Sequence, residues 1–157
     1  MRDTVQINDR YTIAKFAPEA EQIQQAAQEG FQSLINMQTA DEDDKLKMKP
    51  EEERQEAEQA GLTFLHHPVD GESLSEDLVD EFRRKATKLP APVLVHCASG
   101  KRSGAFVMMH IGCEQGMTGD EVIKKAEEMG FECDTPELED FVKSYVDNHN
   151  GKQQSEG

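Results

Sequence analysis

The sequence predicts an α/β domain built on a mainly parallel central sheet flanked by helices, and three observations carry that prediction. Short apolar runs alternate with longer amphipathic segments along the chain, which is the order of strand–helix units. The run PVLVHC (92–97) is continuously apolar until its last two residues, as a strand buried on both faces requires. Helix signals punctuate the segments between runs: Ser75 as an N-cap, Thr118 with Glu121 as a capping box, and Gly30 and Gly61 as stops.

Taken in order, residues 1–10 read as an irregular lead-in and YTIAKF (11–16) as a first strand. Pro18 suits the first turn of a helix with Glu19 beside its positive end; Ala20, Ile23, Ala26 and Ala27 give it an apolar stripe. FQSLINM (31–37) is the next strand, and the acidic stretch 41–49 a loop. Pro50 opens the helix EEERQEAEQA, whose scant apolar face predicts a surface position. LTFLHH (62–67) reads as a strand, PVDGESLS as a loop, and 76–88 as a helix with Leu78, Val79 and Phe82 inward. After the strand at 92–97 come a helix over 103–114, one from Thr118 to Gly130, and one from Pro136 to about Asn148. The 157 residues suit a single domain over 1–150, with 151–157 as a disordered tail.

Composition narrows the function. With 32 acidic and 17 basic residues the net charge is −15, a field that repels a phosphate backbone and argues against nucleic-acid partners. Any anion site is then built locally, from a few cations and backbone N–H groups. Cys97, Cys113 and Cys133 show no CxxC pair and no disulfide framework, so a reducing, cytoplasmic setting is expected. The charged start MRDTVQINDRY lacks an apolar signal core, and AFVMMHIGC (105–113) is too short to span a bilayer, so no membrane partner is expected. His66 and His67 are adjacent on a strand and point to opposite faces, a poor geometry for shared metal ligation. They and His110 read as packing histidines, Cys113 and Cys133 as small core residues, and neither metal nor cofactor is expected.

The informative segment is VLVHCASGKRSG (93–104). A buried strand ends in His96 and Cys97, a short loop follows, and Arg102 and Ser103 stand at the entrance of a helix. Such a loop turns backbone N–H groups of Ala98, Ser99, Gly100 and Lys101 toward an oxyanion, with the Ser99 and Lys101 side chains pointing away. The helix dipole and Arg102 favour the Cys97 thiolate. The planar Arg102 fork suits two equatorial oxygens of a phosphoryl group, and Gly100 admits the tight turn. Ser103 is placed to donate to the thiolate or assist its departure. A strand-to-helix switch is also where α/β proteins place ligands.

The string His96–Cys97–Ala98–Ser99–Gly100–Lys101–Arg102–Ser103 resembles the signature loop of protein-tyrosine and dual-specificity phosphatases. Those enzymes usually place five residues between Cys and Arg, whereas this chain places four. The shorter loop resembles the phosphatase-like domain of bacterial β-lactamase-hydrolase-like proteins. FAPEAEQIQQAAQEGFQSLINM (16–37) is similar to that branch's opening helix and strand, and HHPVDG (66–71) to its acid-loop region. The resemblance spans roughly residues 11–131 and implies a protein-tyrosine-phosphatase-like fold. It also implies that His96 orients the loop and favours the thiolate, and that an upstream Asp serves as general acid. Asp70 is the first candidate, with Glu72 and Asp77 as rivals; Asp77 also fits the first turn of a helix as a dipole partner.

The expected activity is therefore hydrolysis of a phosphorylated protein or small phosphomonoester through a cysteinyl-phosphate, without a metal. Two readings compete. A Cys-x4-Arg loop also resembles that of rhodanese-type sulfurtransferases, which would use a Cys97 persulfide and need no Asp70. A catalytically weak phosphate-binding module would keep the anion site without turnover.

Overall fold

The computed structural model describes residues 3–39, 48–69, 74–97, 101–130 and 136–149. Its elements run β1 (Thr4–Gln6), β2 (Tyr11–Ala14), α1 (Ala20–Gln28), β3 (Ser33–Asn36), α2 (Pro50–Gln59), β4 (Thr63–His66), α3 (Glu76–Ala86), β5 (Val93–His96), α4 (Lys101–Gln115), α5 (Gly119–Glu128) and α6 (Pro136–His149). The strands form one sheet in the order β1-β2-β5-β3-β4. β5 pairs in parallel with β2 on one side and β3 on the other, and β4 adds in parallel to β3. The mainly parallel sheet flanked by helices is therefore as expected. The exception is β1, which pairs antiparallel with β2 (Thr4↔Ala14, Gln6↔Thr12). This corrects the reading of residues 1–10 as an irregular lead-in: three residues are too few for a period-2 pattern, and pairing with β2 makes them a strand.

Alternation along the strands divides the core into two layers. Ala14, Leu34 and Leu94 face α1 and α2, where Ile23, Ala26, Ala57, Leu62 and Phe64 complete a smaller cluster. Ile13, Ile35, Val93, Val95 and Cys97 face α3 to α6, packing on Phe82, Phe106 and Met109 among others. Each such fully buried side chain contributes about 1.5–3 kcal/mol relative to exposure. The helix after the loop, α4, is buried almost throughout, as a helix without a polar face must be.

Local signals account for the boundaries. Ser75 accepts the Leu78 N–H at 3.2 Å. Thr118 accepts the Glu121 N–H at 3.2 Å while its own N–H donates to the Glu121 carboxylate at 2.8 Å. Gly30 and Gly61 end α1 and α2 with φ of 103° and 90°, values that side-chain-bearing residues adopt at a cost. Pro18 stands just ahead of α1 instead of in its first turn, and Glu19 takes the cap position, its N–H donating to the Gln22 side chain at 2.8 Å.

α6 is tied down by polar contacts. Gly119 at the start of α5 donates its N–H to Asp147 at 2.7 Å. Tyr145 donates to Asp80 of α3 and accepts from Arg83 at 3.2 Å, and His149 stacks on Tyr145 with ring centroids 3.9 Å apart. Among the described residues no helix is long and apolar enough to cross a membrane.

Candidate active site

β5 is the central strand, so its carboxyl end opens onto a point flanked by β2 and β3, and it delivers two side chains there in opposite directions. His96 shares the face of Leu94, toward α1 and α2; Cys97 shares the face of Val95, toward α3 to α6. Both are fully buried. α4 begins four residues beyond Cys97, and its first turn carries Arg102 and the buried Ser103.

Three of the expected site residues are thereby brought together. The Cys97 Sγ lies 3.5 Å from the Ser103 Oγ, within hydrogen-bond reach for a sulfur. Arg102, on the same helical turn as Ser103, donates from Nη1 to the Val69 carbonyl at 2.6 Å. Val69 immediately precedes Asp70, so the guanidinium is anchored at the root of the expected acid segment. Asp70 itself, its rival Glu72, and the loop residues Ala98, Ser99 and Gly100 lie outside the described residues, as do 41–47, Cys133 and the tail. Lys101 opens α4. Asp77 is exposed in the first turn of α3, two residues beyond the Ser75 cap, the position of a dipole partner.

His96 is held from both ring nitrogens. Nδ1 lies 3.2 Å from the carbonyl of Cys97, and Nε2 lies 2.6 Å from a carboxylate oxygen of Glu53. Glu53 is only 1% exposed, and its other oxygen accepts from the Asn36 side-chain amide at 3.2 Å. Asn36 stands beside His96 in the β3–β5 register, and its side-chain Oδ1 accepts the Gln38 N–H at 2.7 Å. This refines the reading of α2 as a surface helix with scant apolar face: Glu53 and Ala57, four residues apart, form a buried edge. Glu53 is the site residue that sequence reasoning missed. The available signal was its position in a stripe of small residues, with Ala57 and Ala60, at helical spacing.

The remaining histidines pack, as expected. His66 Nε2 lies 2.7 Å from the Gln38 carbonyl, and His67 Nε2 3.2 Å from that of Leu78. Burial lowers the pKa of His67 below its usual value. His110, on α4, accepts at Nδ1 from Arg83 at 3.2 Å and meets the Tyr11 ring edge-on at 5.6 Å. Burial, reinforced by Arg83 and Arg10, pushes its pKa down to about 4. It lines a separate cleft of about 300 Å³ with Asp80, Arg83, Arg84, Thr87 and Glu114, apart from Cys97. Burial raises the Cys113 thiol pKa, the state of an inert core thiol. Among the described residues no cluster of three or more His, Cys, Asp or Glu side chains is arranged to hold a metal.

Comparison with known proteins places this arrangement. Residues 6–113 match the family described as beta-lactamase hydrolase-like protein, phosphatase-like domain. A beta-lactamase hydrolase-like protein of Xylella fastidiosa is 30% identical over 128 residues, 82% of this chain. The chain spans 29% of that relative's length. In three dimensions it is similar to Tk-PTP in its active form (TM-score 0.76, 19% identity, 94% of this chain and 97% of that one). It is likewise similar to the core catalytic domain of the Saccharomyces cerevisiae PP-IP phosphatase SIW14 (TM-score 0.73, 15% identity, 99% and 92%). At those identities the likeness is one of fold.

Proposed function

Because the chain belongs to the phosphatase-like domain family of beta-lactamase hydrolase-like proteins, we propose that it hydrolyses phosphomonoesters through a cysteinyl-phosphate intermediate formed on Cys97. The observation that carries this reading is the meeting of Cys97 and Ser103 at the end of the central strand, with Arg102 on the same helical turn. A thiol alone on a strand end would be a core residue. A thiol with a hydroxyl 3.5 Å away and an arginine on the same helical turn as that hydroxyl supports a role in attack, charge neutralisation and departure.

In the first step the Cys97 thiolate attacks phosphorus, the S–P bond forms and the ester P–O bond breaks. Arg102 and the loop N–H groups hold the equatorial oxygens as charge spreads over them. Asp70 gives its proton to the departing oxygen. The Arg102 bond to the carbonyl of Val69, the residue before Asp70 in the sequence, supports this role. In the second step water attacks phosphorus, passes a proton to the Asp70 carboxylate, and the S–P bond breaks. The Ser103 hydroxyl donates to the leaving thiolate, and inorganic phosphate departs. Substrates are phosphorylated proteins or small phosphomonoesters, of the dual-specificity kind.

The test is p-nitrophenyl phosphate hydrolysis in the presence of EDTA for wild type, Cys97→Ser, Arg102→Ala and Asp70→Asn, beside thiosulfate-to-cyanide sulfur transfer. Activity abolished in Cys97→Ser and lowered at least 10²-fold (order of magnitude) in Arg102→Ala is expected. The four-residue spacing between Cys97 and Arg102 favours the one competing chemistry. Sulfur transfer without phosphate release would establish that chemistry instead.

A further inference from the structure

Directly behind the nucleophile lies a buried carboxylate–imidazole pair that the phosphatase reading does not itself require. A neutral imidazole carries one N–H. The two ring nitrogens of His96 both face acceptors: Nδ1 the Cys97 carbonyl at 3.2 Å, Nε2 the Glu53 carboxyl at 2.6 Å. Both contacts are satisfied only if the pair carries one more proton than a neutral imidazole supplies. Either His96 is the imidazolium and Glu53 the carboxylate, or the proton rests on Glu53. Each arrangement is electroneutral, as burial of both groups at 0–1% exposure demands. The amide N–H that Asn36 donates to Glu53 favours the carboxylate.

Among the described residues, the charged side chains on the elements around the pair engage other partners or face solvent. Arg54, next to Glu53 on α2, lies over the Phe64 ring at 5.0 Å. Arg102 on α4 donates to Val69, and Lys15, after β2, to the Gly130 carbonyl at 3.2 Å. His66 at the end of β4 engages Gln38, and Glu51 and Glu52 on α2 are exposed.

We propose that Glu53 is a positioning residue that holds His96 as an imidazolium against the Cys97 peptide, and that this buried pair keeps Cys97 ionised at lower pH than the loop alone would. The inference rests on Cys97 being the nucleophile and adds the residue that tunes it. The imidazolium acts in two ways. Its Nδ1–H fixes the Cys97 carbonyl, and a fixed carbonyl fixes the plane of the peptide bond that begins the signature loop. Its positive charge also favours the thiolate. The partner comes from the face of the sheet opposite to that of Cys97.

The first measurement needs no substitution: nitrogen NMR of the wild-type protein at neutral pH, with His96 assigned through its loss in His96→Asn. Two protonated ring nitrogens are expected; a single one overturns the imidazolium. The second is Glu53→Gln, in which the amide can donate to Nε2 and accept from Asn36, so hydrogen bonds survive while the charge separation is removed. The rate of Cys97 alkylation by iodoacetamide against pH reads the thiolate directly. Its midpoint is expected to rise by about one pH unit, a tenfold loss of thiolate on the acid side, with the two proteins converging at high pH. Coincident titrations in a Glu53→Gln variant that retains the wild-type circular dichroism overturn the proposal. Because alkylation requires no turnover, a shifted titration in a protein without phosphatase activity would refute the function proposed above while leaving this pair intact.

Discussion

His110 makes the stability of this protein depend on pH in a window that can be worked out beforehand. Its ring is 2% exposed, receives a hydrogen bond from the Arg83 guanidinium at Nδ1, and has Arg10 near. Protonation would place a second positive charge against Arg83 on a ring that is almost wholly buried. The fall in pKa from 6.5 to about 4, at 1.36 kcal/mol for each factor of ten in proton affinity, is about 3 kcal/mol. The unfolded chain takes up the proton first, so stability is fully present above pH 6.5. It is lost as pH falls from there toward 4, and this group adds no further loss below that. Urea unfolding of wild type and His110→Gln, from about pH 7.5 down to about pH 4.5, isolates the effect, since every other titration is common to both. The wild type is expected to lose about 2–3 kcal/mol more than the variant. Parallel curves would refute the reasoning, by showing that the folded state accepts a proton at His110 as easily as the unfolded chain, with Glu114, 3.4 Å from Nε2, as the compensating partner.

Two further outcomes follow from packing and capping. A Cβ added at Gly119 would stand 2.7 Å from both the Cα and the carbonyl oxygen of Lys143. Backbone atoms cannot swing aside, so Gly119→Ala is expected to cost about 1–3 kcal/mol, read as a lower urea midpoint with an unchanged slope. Ser75→Ala removes the acceptor of the Leu78 N–H and is expected to cost about 1 kcal/mol in the same assay.

The parts of the fold legible in the sequence were those whose cause is local. The apolar run before Cys97 had to be a central strand. Ser75 and the Thr118–Glu121 pair had to begin helices, because their side chains satisfy N–H groups within three residues. The grouping of Cys97, Arg102 and Ser103 was legible for the same reason, being one strand end and one helical turn. What escaped was set by distant partners. β1 exists because β2 offers it an edge. Glu53, in the acidic helix PEEERQEAEQ, looks like its exposed neighbours Glu51 and Glu52. Its burial depends on His96, 43 residues away in sequence, and on Asn36 beside it.

The strand order carries a consequence for how the protein comes into being. β2 and β3 follow one another in the chain, yet they never pair; β5, which is made much later, lies between them and pairs with both. A nascent chain that ends before residue 93 therefore holds two strand pairs, β1-β2 and β3-β4, with no seam between them. The segment that joins them is the one that carries His96 and Cys97. Closing such non-local pairings is the slow part of building a sheet, so Cys97 reaches its place in the same event that completes the molecule. An incompletely folded chain holds the cysteine without Ser103, Arg102 and the Glu53–His96 pair around it, and the candidate site and structural completeness arrive together.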